Sequence, residues 1–238
     1  MHMGPDETRA FLAALSPRQG PGRPQVLLFP PAVSLAAAVA AAPSWVGLGV
    51  QNIHWEDKGA FTGEISAPLA RAAGATHALI GHSERRHVFG EKDAEVARKS
   101  AAALRHGLIP VVCVGETLAE RRAGQANPVI LRQLDAALEG LTGSGVGFLI
   151  AYEPVWAIGT GETATPQDAA DAQGVLRGRL RERIGGDADR VSILYGGSVK
   201  PDNAAELMAA PNVDGVLVGG ASLEALSFTR IVDAAPDR

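Results

Sequence analysis

The chain has 238 residues, 46% hydrophobic and 20% charged, enough for one sizeable core but with no segment long and apolar enough to cross a membrane. Its formal net charge of -4 excludes a global positive field that would draw in nucleic acid or an acidic membrane, so an anionic partner needs a local site. The single cysteine, Cys113, excludes an internal disulfide framework and fits a reducing, cytoplasmic setting.

The opening MHMGPDETRA lacks the basic region and apolar stretch of a signal peptide. A helix is predicted over Pro5–Leu15. The first strand follows at QVLLF (25–29), and the alanine-rich stretch Leu35–Ala42 stops at Pro43-Ser44. Further strands are predicted at VGLGV (46–50), THALI (76–80), IPVVCV (109–114), GFLIAYE (147–153), VSILY (191–195) and GVLV (215–218). Their near-continuous hydrophobicity suits strands buried on both faces, as in a parallel sheet. Between them lie amphipathic patterns. One, over 93–106, has Val96, Ser100 and Leu104 in one row. Another, over 166–184, aligns Ala169, Ala172, Leu176, Leu180 and Ile184, with Thr165 as N-cap and Pro166 in the first turn. The alternation predicts βα units in a single domain, residues 1–238, either a barrel or a doubly wound sheet. A barrel of this type closes with eight strands. Seven are counted, and the chain opens on a helix.

In parallel α/β folds, functional groups gather just beyond the C-terminal ends of strands. Read that way, one run ends in Glu153 and continues PVWAIGTG. A carboxylate at a buried strand end pairs with a rim cation such as Arg85 or Arg86, or does chemistry. The segment after it, stiff at Pro154, apolar at Trp156 and Ile158, and flexible at Gly159–Gly161, reads as a lid that excludes water and makes the carboxylate a stronger base. Of six histidines, His82 stands directly beyond a strand, beside Ser83 and Glu84. The bland reading is a hydrogen-bonded structural histidine. The histidines lack metal-ligand spacing and Cys113 has no partner thiol, so no metal site is expected. GGSV (196–199) and GGAS (219–222) follow the last two strands. Either glycine pair alone is a tight turn; two in succession, the first with Ser198, suit backbone amides closing on a phosphate. A GxGxxG dinucleotide pattern is not among them.

These pieces resemble the triosephosphate isomerase family. GAFTGEIS (59–66), ALIGHSERR (78–86), VVCVGET (111–117), AYEPVWAIGTG (151–161), YGGSV (195–199) and GVLVGGASL (215–223) run in that family's order and spacing. The resemblance implies a TIM (β/α)8 barrel, lacking its first strand within these residues, that interconverts dihydroxyacetone phosphate and glyceraldehyde 3-phosphate. By motif, Glu153 is the base and His82 the neutral electrophile, and Glu84 helps organise the site. Gly159, Ser198, Gly219 and Gly220 offer amides to the phosphate. It implies no cofactor, and a homodimer in which Thr62 and Glu64 lie at the interface. Trp55 is either a further interface contact or packed on its own barrel. Family members open with a strand ending in Asn-x-Lys, whose lysine contacts the phosphate; MHMGPDETRAFLAAL aligns with the residues just after that lysine. The expectation is a true start upstream of Met1, and weak catalysis by these residues alone. The alternative is a non-catalytic phosphometabolite-binding or interaction protein on the same fold; another phosphosugar barrel enzyme is disfavoured by the lid sequence.

Overall fold

The structure is a computed structural model and describes residues 1–18, 20, 22–141, 147–158 and 163–237. Helix α1 (Pro5–Ala14) comes first, with Pro5 in its first turn and Glu7 reaching back to the Gly4 amide at 2.7 Å. Then strand and helix alternate: β1 (Val26–Leu28), α2 (Leu35–Ala41), β2 (Val46–Val50), α3 (Ala67–Ala72), β3 (His77–Ile80), α4 (Ser83–His87) and α5 (Asp93–Arg105). The second half continues with β4 (Ile109–Val114), α6 (Leu118–Arg122), α7 (Ala126–Leu141), β5 (Leu149–Tyr152), α8 (Pro166–Ile184), β6 (Ile193–Tyr195), α9 (Ala204–Ala209), β7 (Gly215–Val216) and α10 (Ala225–Asp233). Each predicted strand is present, and α8 has the predicted limits. Thr165 caps α8 by accepting from the Asp168 amide at 3.1 Å, and Asp168 returns a bond to the Thr165 amide at 2.9 Å.

All neighbouring strands pair in parallel and in sequence order, β1 to β7. The seven strands among the described residues curl into an open, TIM-type half-barrel. Among the described residues no ladder joins β7 to β1, so these two are its edges. Alternation along each strand divides the core. One set, Leu79, Val111, Cys113 and Ala151, clusters inside the curl, with Phe29, Leu149, Leu194 and Leu217 half-buried around it. The other set faces the helices, where Ile80, Val112, Val114, Ile150 and Tyr152 pack with Leu134, Leu138, Leu176 and Leu180. The register Val114↔Tyr152↔Tyr195 levels three strand ends, so the residues following them emerge side by side.

Candidate active site

Gly81 follows β3 with φ 69°, a left-handed turn that glycine adopts without strain. That turn makes His82 the N-cap of α4. The Glu84 amide donates to His82 Nδ1 at 3.3 Å, so Nδ1 is the accepting nitrogen and Nε2 carries the proton of the neutral ring. Nε2 lies 3.0 Å from Glu153 Oε1. The other carboxylate oxygen, Oε2, accepts from the Ser83 amide at 2.8 Å. The residues flanking His82 therefore set both the tautomer of the imidazole and the resting position of the acid.

Glu153 follows β5 and is only 2% exposed. Its carboxylate meets His82 and Ser83 rather than the alternative partners Arg85 and Arg86. Arg85 binds Glu91 at 2.7 Å, and Arg86 binds Asp93 at 2.6 Å and the carbonyls of Gly81 and Cys113. Burial weighs against a charge on His82, but the Glu153 carboxylate outweighs it and holds the imidazole pKa above its ordinary value. Whatever draws Glu153 away removes that support. Burial and the Glu84 amide remain and favour the neutral ring, against a smaller opposing pull from the Glu84 carboxylate.

The Glu84 side chain is 75% exposed, with Oε2 4.0 Å from His82 Nδ1, so its backbone makes the closer contact. Ser198 follows β6, half-buried, in a turn fixed by Asn203, which donates to the Ser198 carbonyl at 3.0 Å and accepts from the Lys200 amide at 2.8 Å. Gly219 and Gly220 follow β7 and are exposed, and Ser222 Oγ closes that turn on the Gly219 carbonyl at 2.7 Å. Gly159 lies outside the described residues, as does the rest of the glycine-rich end of the predicted lid.

A family model described as Triosephosphate isomerase matches residues 1–235. The chain belongs to that family. It is 52% identical over 235 residues to the "Triosephosphate isomerase" of Moorella thermoacetica, covering 98% of this chain and 94% of the relative. It is 49% identical over 237 residues to that of Solibacter usitatus, covering 98% and 95%. The Chloroflexus aurantiacus relative is 54% identical over 211 residues, covering 87% and 84%.

Several further residues shape the surroundings of Glu153 and His82. Glu116 follows β4 as Glu153 follows β5, and is fully buried. Its Oε1 accepts from Trp156 Nε1 at 2.8 Å and from the Tyr152 hydroxyl at 3.1 Å, anchoring the described start of the lid. Arg121 stacks 4.5 Å over Trp156 and binds Asp168 at 2.6 Å, so one guanidinium touches residues on both sides of 159–162. Gly115 and Gly196 floor the acid: a β-carbon at Gly115 would fall 1.7 Å from the Glu153 carbonyl, and one at Gly196 2.9 Å from Glu153 Cγ. The Tyr195 hydroxyl is buried, and burial pushes its pKa up to about 12, against a backbone hydrogen bond from Ala164 that pulls the other way. One signal was available for Glu116, a carboxylate one glycine beyond an apolar strand. The glycine and Arg121 contacts join segments distant in sequence and left none. Trp55 is half-buried against its own core.

Proposed function

We propose that this chain interconverts dihydroxyacetone phosphate and glyceraldehyde 3-phosphate without a cofactor, as an aldose–ketose isomerase of the cytoplasm. The observation that carries the reading is the meeting of Glu153 and His82 Nε2 at 3.0 Å, with the acid held on the Ser83 amide. In that resting arrangement the imidazole N–H is spent on a carboxylate. A bound ketose would take over both partners: its carbonyl oxygen receives the His82 hydrogen bond, and its C1 presents a proton to Glu153. Glu153 removes that proton, the electron pair moves to form an enediolate, and the negative charge collects on the oxygen facing His82. A proton then passes between the two oxygens, and Glu153 returns its own to C2. Glu84 contributes chiefly through its amide, which keeps the proton on Nε2. Amides of Gly159, Ser198, Gly219 and Gly220 take the phosphate, and the lid shields the enediolate from water.

The active form is a homodimer, with Thr62 and Glu64 at its interface. Both are exposed on the loop 55–65. That loop borders a cavity of about 230 Å³ lined by Gln51, Asn52, Glu64 and Arg85. Val33, Phe61, Val88 and Phe89 stand 78%, 43%, 72% and 68% exposed, apolar surface that a second copy would cover.

The test is turnover of both triose phosphates by the wild type, Glu153→Gln and His82→Gln. The expected loss is about 10²–10⁴-fold for the acid and about 10²–10³-fold for the imidazole. Unchanged turnover in either variant overturns the assignment, and binding of a phosphoglycolate-type analogue with no turnover by the wild type makes the chain a binding protein.

A further inference from the structure

The loop 55–65 is exposed from Glu56 to Glu64, yet it is tied down at its neck, at Trp55 and Asp57, and at Phe61. At its neck the His54 amide donates to the Ile65 carbonyl at 2.7 Å, and His54 bridges Ser66 in parallel. From the neck outward runs a column of stacked side chains. Arg98, on α5, lies 4.0 Å over the Trp55 ring; Trp55 stacks on His54 at 4.1 Å; His54 meets Phe61 at 4.2 Å. Phe61 closes over Gly59, whose φ of 144° and lack of a β-carbon allow the ring to approach. Two short turns, Phe61 N to Gly59 O and Glu64 N to Phe61 O, both at 3.0 Å, hold Thr62 and Glu64 at the tip. Beside the column, Asp57 accepts from Arg105 at 2.7 Å and contacts His106 Nε2 at 2.8 Å, and Arg105 also reaches the Trp55 carbonyl at 3.3 Å.

We propose that α5 pre-shapes this loop for a second copy of the chain, and that Arg98 and Asp57 are positioning residues that set dimer strength from outside the contact. The inference rests on the homodimer reading above and adds to it how the interface is made ready. A loop already ordered before encounter avoids the entropy loss that a free loop suffers on docking. Exposed ion pairs and cation–π contacts contribute little to the stability of a folded chain, so so many of them on one loop are better explained by what the loop must present. In a two-fold dimer the loop occurs twice, and each change acts twice.

The experiment measures dimer dissociation by sedimentation over a dilution series for the wild type, Arg98→Met, Arg98→Lys, Asp57→Asn and the Arg98→Met/Asp57→Asn double variant. The expected result is a dissociation constant raised about tenfold by Arg98→Met and by Asp57→Asn, and about 100-fold by the pair. Arg98→Lys, which keeps a cation over Trp55, should recover most of the loss. Turnover of the variants should return to the wild-type value at concentrations that restore the dimer. A dimeric wild type whose dissociation constant the double variant leaves unchanged overturns this inference alone, as does a turnover loss that no concentration repairs. A wild type that stays monomeric throughout overturns the dimer reading and this inference with it.

Discussion

Gly196 lies so close beneath Glu153 that a β-carbon at 196 would come 2.9 Å from Glu153 Cγ and 3.2 Å from the Tyr152 carbonyl. The carbonyl belongs to β5 and cannot retreat, so the acid must. Gly196→Ala should leave a folded protein whose kcat falls about 10–100-fold, because a misplacement on the order of 1 Å at a reacting group costs about that much. Steady-state kinetics beside circular dichroism checks it; full kcat in a folded variant would mean the acid has slack.

The imidazole of His82 owes its raised pKa to Glu153, against the opposing effect of burial. Glu153→Gln should therefore lower it, which nitrogen NMR of the ring can follow through a pH titration. The linkage has a definite sign. A raised folded-state pKa stabilises the protein fully below the ordinary histidine value of 6.5, and that stabilisation fades as pH rises through the folded value. Glu153→Gln should remove this component, giving a shallower loss of stability above pH 6.5 than the wild type shows.

Lys99 is buried with Glu91 at 2.6 Å and Asn52 at 2.8 Å, while Arg85 takes the same Glu91 oxygen. Burial lowers the Lys99 pKa, and on Glu91 the two cations outweigh burial and lower its pKa as well. Removing one partner of such a cluster strands the other's charge. Lys99→Met should cost about 3–5 kcal/mol, and a Glu91→Leu/Lys99→Met pair should recover much of it. Urea midpoints of the two variants test this, and a double variant no better than the single would assign the loss to packing.

Asp168 completes the capping box of α8 with Thr165 and holds Arg121. Burial raises its pKa, but the Thr165 hydroxyl and amide and then Arg121 carry the balance downward from the ordinary 3.8. A depressed carboxylate contributes stability present above pH 3.8 and lost as pH falls through its lower folded value. Asp168→Asn should thus be less stable at neutral pH, with the gap to wild type closing below pH 3.8. A gap that stays constant down to pH 2 would show that the charge is not what Asp168 contributes.

The sheet was legible because burial on both faces leaves an unmistakable mark: β4 is read at 109–114 and found at 109–114. Where a strand is only half-covered the mark blurs. GVLV at 215–218 yields a strand over Gly215–Val216 alone, although the Leu217 amide still donates to the Tyr195 carbonyl at 2.8 Å. His82 and Glu153 could be picked out because each interrupts an apolar run with a charge or ring at the same end of the sheet. The floor under them could not. Gly196 and Gly115 earn their place from the backbone of a neighbouring strand, and Arg121 from two segments it meets only after folding. Nothing local distinguishes them from turn glycines and a surface cation.

Within residues 1–238 the outermost strands of the sheet, β1 and β7, each have one neighbour, and β4 lies at its middle. Amide hydrogens should exchange slowest on β4 and progressively faster toward β1 and β7, whose outer backbone groups lack a neighbouring strand among the described residues. The proton-handling side chains, His82 and Glu153, hang from β3 and β5, in the slow zone, while Ser198, Gly219 and Gly220 hang from the fraying side. Warming or mild denaturant should accordingly weaken the grip on a phosphate while the acid and imidazole are still in register, so that KM drifts upward well before kcat falls.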